Sequence, residues 1–165
     1  MLPDFDFPEK LSVPKFWNPS EYGDAGVRNF LGMHGKRLIT PEEALSVGSK
    51  KDGKETIFVS VASYRDTECR PTVESLYARA QYPERIRVAI VDQIEPEDQK
   101  CNEPVVPCEQ DPDQILCKYR HLIEVYEVPS YLMVGPVLAR HLAHRMYRGE
   151  YFAMQVDAHV RFTQG

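Results

Sequence analysis

The sequence predicts an α/β domain, because short apolar segments rich in β-branched residues alternate with segments of helical periodicity. Helical patterns cover residues 71–81 and 135–149, and the second runs from a Gly-Pro pair to a closing glycine. Since the strand segments are apolar through most of their length, we expect a mostly parallel sheet covered on both faces. The four predicted strands span residues 56–62, 85–92, 121–128 and 150–157.

The order of these four strands follows from the handedness of their connections. Right-handed crossovers favour a sheet that grows outward from its first strand and then reverses to the other side. We therefore expect the order 3-2-1-4, counting the predicted strands along the chain. The first and fourth strands become neighbours where the order reverses, and ligands bind beyond the carboxyl ends of strands at such a point. Residues 63–66 and 157–159 are expected to lie side by side there.

Residues 1–39 mix proline, glycine, aromatic and charged residues without a sustained period, and we expect residues 1–54 to form an irregular N-terminal arm. One short helix is expected near 41–47. Thr40 is a candidate N-cap, Pro41 suits the first helical position, and Glu43 completes a capping box. We expect the α/β part of the fold to begin at residue 55.

Length and composition limit the classes of function. The chain has 165 residues, 42% of them hydrophobic, which suffices for one domain with its own core. Its 20 basic and 25 acidic side chains give a net charge of −5, and no basic run is suited to a phosphate backbone, so nucleic acid is not an expected partner. No stretch approaches the ~20 apolar residues of a membrane span, and no signal sequence is visible. These features favour a soluble protein of the cytoplasm.

The four cysteines leave the redox compartment open. Cys69 stands apart, whereas Cys101, Cys108 and Cys117 share one polar, proline-containing segment. Their spacing is wider than the short pairs typical of zinc sites. In an oxidising lumen Cys101 could pair with Cys108 or Cys117, and in the cytosol the same three residues would be free thiols.

Asp157 and His159 follow the last predicted strand and are the best candidates for metal ligands. Side chains two residues apart in an extended chain lie on the same face, so both can point into one crevice. Carboxylate oxygen and imidazole nitrogen together suit manganese better than calcium. The alternative is an aspartate that caps a turn beside a surface histidine.

The segment after the first predicted strand, "SYRD" at residues 63–66, carries groups suited to a nucleotide. Arg65 offers a planar donor fork for phosphate, Tyr64 an aromatic face for a base, and Asp66 an acceptor for ribose or base donors. The alternative is that Arg65 and Asp66 form a local ion pair that caps the next helix. No glycine-rich phosphate loop is present, so a diphosphate would be held by a metal and side chains, with Arg140 near the first turn of its helix as one of them.

The segments "IFVSVASYRDTEC", "IRVAIVDQ" and "GPVLARHLAHRMYRGEYFAMQVDAHVRF" together resemble the polypeptide α-N-acetylglucosaminyltransferase family over roughly residues 56–162. The resemblance implies a GT-A fold and transfer of N-acetylglucosamine from UDP-N-acetylglucosamine to hydroxyproline, serine or threonine of an acceptor protein, with retention. It also implies a divalent cation, Mn²⁺ or alternatively Mg²⁺.

Carried onto this chain, the resemblance makes Asp157 and His159 a variant of the D-x-D motif that holds the cation against the diphosphate. The resemblance leaves the catalytic residue unassigned. It implies that the donor is bound by Ser63, Tyr64, Arg65, Asp66, Gln93 and Arg140.

The chain departs from this family at its end, because only "TQG" follows "VRF". We expect residues 55–165 to be the donor-binding part of a truncated GT-A domain, with little transfer activity alone. A noncatalytic nucleotide- or protein-binding module is the alternative, and a phosphoesterase is disfavoured because ligands for one metal only are visible. The resemblance adds Golgi anchoring as the alternative to the cytoplasm if the N-terminus is incomplete.

Overall fold

The computed structural model describes residues 30–133 and 135–164, so most of the predicted N-terminal arm lies outside the described residues. The described part opens with two small antiparallel hairpins on either side of a short helix. Their elements are β1 (Phe30–Gly32), β2 (Arg37–Ile39), α1 (Pro41–Ala44), β3 (Lys50–Lys51) and β4 (Lys54–Glu55).

The predicted capping box of α1 is confirmed. The Thr40 hydroxyl accepts a hydrogen bond from the Glu43 amide at 3.3 Å, and the Glu43 carboxylate accepts one from the Thr40 amide at 3.0 Å. The helix ends at Ala44, earlier than the predicted residue 47. The reason lies just beyond it, where the amides of Val47 and Gly48 both donate to the Arg148 carbonyl and turn the chain away from the helix axis.

The prediction of an α/β fold with a parallel four-stranded sheet is confirmed. The strands are hydrogen-bonded in the order β7-β6-β5-β8, and every neighbouring pair is parallel. Each strand begins one or two residues later than predicted. They are β5 (Ile57–Tyr64), β6 (Ile86–Ile94), β7 (Ile123–Pro129) and β8 (Phe152–Asp157).

Helices cover the two faces of the central strands. Because side chains alternate along a strand, Val59 and Val61 of β5 face one cluster with α2 (Cys69–Arg79), whereas Phe58 faces the other with α4 (Gly135–His144). A fourth helix, α3 (Ile115–Lys118), contacts α2 beside the first cluster. The apolar cores therefore lie on both sides of β5 and β6.

The expectation that all four strands are covered on both faces is wrong for β8. Every residue of β8 except Val156 is exposed, with Phe152 at 50%. The strand lies at the edge of the sheet, and α4 packs on β5 and β6 rather than on β8. An apolar run alone does not distinguish an edge strand from a buried one.

The helix predicted over 135–149 ends at His144. Its continuation turns through tighter bonds, from the Arg145 amide to the Leu142 carbonyl and from the Met146 amide to the Ala143 carbonyl. This early end leaves the Met146 carbonyl to accept a hydrogen bond from Arg87. The segment after α4 therefore takes part in a polar cluster near the amino ends of the strands.

That cluster, the amino-edge cluster, comprises Arg87, Glu124, Arg148 and Glu150 near the amino ends of the strands. The Arg87 side chain donates to Glu150 at 2.6 Å and to Glu124 at 3.1 Å. The Arg148 amide donates to Glu150 at 2.7 Å, and its guanidinium donates to Glu124 at 3.2 Å and to the Leu31 carbonyl. Burial lowers the pKa of Arg148. The cluster ties β1 and the end of α4 to the sheet.

The four cysteines form two disulfides, which corrects the expected pairing of Cys101 with Cys108 or Cys117. Cys101 pairs instead with Cys69, and Cys108 pairs with Cys117. The cause is the loop after β6, whose Cys101 amide donates to the buried Asp92 carboxylate at 2.9 Å and so lies beside the start of α2. Within residues 30–133 and 135–164, no helix has the length and hydropathy needed to cross a membrane.

Candidate functional site

The carboxyl ends of β5 and β8 bring the two predicted polar segments together. The strands pair in parallel with Ala62 opposite Asp157, so residues 63–66 and 157–159 leave the sheet side by side. The neighbouring strand β6 places Gln93 next to Tyr64 in the same register. We call this group the carboxyl-edge site. It consists of Ser63, Tyr64, Arg65, Asp66, Gln93, Arg140, Asp157 and His159.

Asp157 is held by Arg140. The Arg140 guanidinium on α4 donates to one oxygen of the Asp157 carboxylate at 2.9 Å. Both side chains are partly open to solvent, at 37% and 56% exposure respectively. The site thus joins the helix and the strand that were expected to supply the phosphate-binding and metal-binding groups.

His159 is held by Asp66. Nδ1 of the imidazole lies 3.0 Å from the Asp66 carboxylate, and this hydrogen bond is the main cause that raises the pKa of His159. The other Asp66 oxygen accepts from the Glu68 amide at 2.9 Å, which fixes the carboxylate. When Nδ1 donates to a carboxylate, Nε2 is the nitrogen available to a metal, and such carboxylate–histidine pairs commonly orient metal ligands.

Thr72 anchors the turn between Asp157 and His159, a role that the sequence patterns do not predict. Its hydroxyl lies 2.7 Å from the Ala158 carbonyl and 2.9 Å from the Val160 carbonyl, and it accepts from the Val160 amide at 3.0 Å. Thr72 is buried in the first turn of α2. The sequence signal for this role is the position of Thr72 on the apolar face of the helix predicted over residues 71–81.

Arg65 does not pair with Asp66, so the alternative of a local ion pair between these two residues is wrong. Its guanidinium binds both oxygens of Asp98, at 2.7 and 2.9 Å, in the loop after β6. The Arg65 backbone has a positive φ of 48°, and its amide donates to the Gln93 carbonyl at 2.9 Å. A non-glycine residue in this region is uncommon and typical of strained functional turns. Arg65 therefore joins the segment after β5 to the loop after β6.

A cavity of about 410 Å³ opens between this turn and the start of α4. Its lining includes Tyr64, which is 58% exposed, and Gln93, which is almost fully buried. The Gln93 amide nitrogen donates to the Ser63 carbonyl at 2.8 Å, which fixes the side chain. The cavity is lined by Ala62, Tyr64, Gln93, Met133, Gly135 and Pro136.

Ser63 is fully buried and is not part of the cavity lining. It stands opposite Asp92 of β6, another fully buried polar residue, whose pKa is raised by burial. The lining by Gly135 and Pro136 was also missed, although their Gly-Pro pair had marked the start of the helix.

Asp157 and His159 offer one oxygen ligand and one nitrogen ligand. This pair suits a divalent cation whose remaining ligands come from a substrate. Among the described residues, no cluster of three or more histidine, cysteine, aspartate or glutamate side chains is arranged to hold a metal. Asp157 retains a carboxylate oxygen that Arg140 does not occupy, and Nε2 of His159 has no hydrogen-bond partner among the described residues. One carboxylate and one imidazole fit Mn²⁺ better than Mg²⁺, which prefers oxygen ligands, and phosphate oxygens and water would complete the coordination.

Comparison with protein families identifies a match. A family model described as "Glycosyltransferase (GlcNAc)" matches residues 56–115 and 106–165, which together span two thirds of the chain. The matched residues include β5 to β8 and the whole carboxyl-edge site. Neither the search of curated proteins nor the search of solved structures found a match.

Proposed function

The chain belongs to the GlcNAc glycosyltransferase family, and we propose that its carboxyl-edge site binds a UDP-sugar donor in a GT-A fold. The observation that carries the proposal is the meeting of the 410 Å³ cavity, Arg140, Asp157 and His159 at one edge of a parallel sheet. The strand order β7-β6-β5-β8 supports it, because β5 and β8 meet where the order reverses.

The base is proposed to bind in the 410 Å³ cavity. Tyr64 presents an exposed ring on which a pyrimidine stacks. The Gln93 nitrogen is engaged with the Ser63 carbonyl, so its side-chain oxygen is the group left to accept the imide N–H of uracil. A uracil base therefore provides the N–H group that the Gln93 oxygen can accept.

The diphosphate is proposed to lie between the start of α4 and the turn at 157–159. Free amides and the positive end of a ten-residue helix favour an anion there, and Arg140 adds a guanidinium. Asp157 and His159 would hold the divalent cation, Mn²⁺ or Mg²⁺, while Asp66 orients the imidazole. When bound, the ion acts as a Lewis acid on the departing diphosphate.

The proposed reaction is transfer of N-acetylglucosamine to hydroxyproline, serine or threonine of a protein, with retention. Donor binding is assigned to the carboxyl-edge site, and no described residue is assigned as a catalytic base or acceptor contact. A noncatalytic binding module derived from such an enzyme is the second candidate. It is favoured by the ion pair with Arg140, which engages one of the two proposed metal ligands, Asp157.

We also propose that the domain works in an oxidising compartment rather than the cytoplasm. All four cysteines form disulfides, and stable disulfides are rare in reducing compartments. Thiol titration of the denatured, unreduced chain isolated from its native source should find no free thiol. Four titratable thiols would contradict this assignment.

The donor proposal is tested by calorimetric titration of the chain with UDP, ADP and GDP in the presence of MnCl₂. UDP should bind tightest, because adenine has no ring N–H to donate to the Gln93 oxygen, and guanine, which has one, presents a larger bicyclic ring to the cavity. Tyr64→Ala should weaken UDP binding by at least about fivefold, the lower limit for loss of one base–aromatic stack. Tyr82→Ala, which removes another exposed tyrosine outside the site, is the matched control and should leave UDP affinity unchanged. Equal binding of all three nucleotides would contradict a uridine site.

A further inference from the structure

The ion pair between Arg140 and Asp157 joins two groups that the proposed function assigns to different parts of the donor complex. Asp157 is the proposed cation ligand, and Arg140 is the proposed diphosphate ligand. In the described structure they lie 2.9 Å apart and engage each other. Without a bound donor, Arg140 therefore competes with the cation for Asp157, and Asp157 competes with the diphosphate for Arg140.

We propose that this pair exchanges partners when the donor binds, so that cation and nucleotide bind together and the cation alone binds poorly. This inference rests on the proposed donor site. Asp157 turns from Arg140 to the cation, and Arg140 turns from Asp157 to the diphosphate. Positive charge faces negative charge before and after the exchange, so neither group is left unpaired.

The exposure of the pair makes such an exchange feasible. Both side chains are more than a third exposed, and exposed ion pairs change an equilibrium constant by no more than about fivefold. A diphosphate offers Arg140 several charged acceptor oxygens and a bidentate geometry in place of one carboxylate oxygen. The exchange is thus favoured when the diphosphate arrives with the cation.

The second ion pair of the site behaves differently. Asp66 holds Nδ1 of His159 and leaves Nε2 free, so this contact orients a ligand rather than occupying it. A cation that arrives alone meets one oriented nitrogen and one carboxylate that is already paired with a cationic side chain. Arg140 therefore opposes binding of the lone cation through charge repulsion as well as competition.

Substitution of Arg140 should change two affinities in opposite directions. Arg140→Gln frees Asp157, so Mn²⁺ alone should bind roughly two- to fivefold tighter. The same change removes a charge-assisted contact to the diphosphate, so UDP with Mn²⁺ should bind about tenfold weaker. A purely structural role would weaken both, because loss of structure improves no ligand site.

The experiment measures Mn²⁺ binding by electron paramagnetic resonance and UDP binding by calorimetry on the full chain. Arg140→Lys keeps the charge without the planar fork and should retain weak binding of Mn²⁺ alone while recovering part of the UDP affinity. Arg79→Gln is the matched control, because it removes one positive charge from an exposed position at the end of α2 away from the site. It should leave both affinities unchanged.

Mn²⁺ that binds Arg140→Gln no tighter than the unsubstituted chain would overturn the exchange, and the donor site would stand if UDP still requires Mn²⁺. Tighter Mn²⁺ binding by Arg140→Gln without any UDP binding to either chain would overturn the donor site while supporting competition between Arg140 and the cation.

Discussion

The amino edge and the carboxyl edge of the parallel sheet each carry an ion pair between an arginine and a carboxylate, and the first pair is buried whereas the second is exposed. At the amino edge, Arg87 and Glu150 form an ion pair whose side chains are 10% and 0% exposed. At the carboxyl edge, Arg140 and Asp157 form a similar pair with both side chains open to solvent. Burial separates their roles, because a buried charge needs its partner permanently whereas an exposed charge can exchange it for a ligand.

Glu150→Gln should have the largest effect, because it tests the buried half of this comparison. The substitution leaves Arg87 buried with part of its charge uncompensated, which costs about 3–5 kcal/mol of unfolding free energy. Urea denaturation followed by circular dichroism measures the loss. Asp157→Asn is the control at the other edge and should cost less than about 1 kcal/mol. Equal losses of unfolding free energy in Glu150→Gln and Asp157→Asn would contradict the distinction between a buried ion pair at one edge and an exposed ion pair at the other.

Thr72→Val should have an intermediate effect that links stability to the site. Valine keeps the shape of threonine but leaves the Val160 amide and the Ala158 carbonyl without their hydroxyl partner, at about 1–3 kcal/mol. The turn that presents His159 should loosen, so affinity for UDP with Mn²⁺ should fall as well. Unfolding and calorimetry on the same preparation check both effects. Thr72→Ser keeps the hydroxyl and should retain most of the ligand affinity.

The smallest expected effect is the pH response of the His159–Asp66 pair. The folded pKa of His159 is raised, so the charged pair stabilises the fold below the ordinary histidine pKa and loses that contribution as pH rises through the raised value. Metal binding has the opposite preference, because it needs the neutral imidazole. Titration of the His159 ring protons by nuclear magnetic resonance should show a lower pKa in Asp66→Asn than in the unsubstituted chain. An unchanged pKa would show that Asp66 does not hold the imidazole.

The residues that sequence patterns predicted well are those governed by local rules. The capping box at Thr40 and Glu43 depends on four consecutive residues, and it forms as expected. The strands follow from β-branched runs, and their parallel pairing follows from the intervening crossovers. Such features need no knowledge of distant contacts.

Features set by distant contacts were missed or misread. The partner of Arg65 is Asp98 rather than the adjacent Asp66, because the positive φ of Arg65 turns the chain toward the loop after β6. The partner of Cys101 is Cys69, since Asp92 holds that loop beside α2. Exposure of β8 likewise depends on where α4 packs. Each outcome needs the three-dimensional positions of segments far apart in sequence.

Thermal unfolding with and without UDP and MnCl₂ tests the central claim, a nucleotide–cation site at the carboxyl edge, most directly. UDP and Mn²⁺ together at about 100 times the dissociation constant should stabilise the chain by about 2.7 kcal/mol, a shift of several degrees. Mn²⁺ alone, or UDP with a chelator, should give much smaller shifts. Asp157→Ala should abolish the combined shift, whereas Tyr82→Ala should retain it. No shift at millimolar UDP and Mn²⁺, or an undiminished shift in Asp157→Ala, would contradict the proposed site.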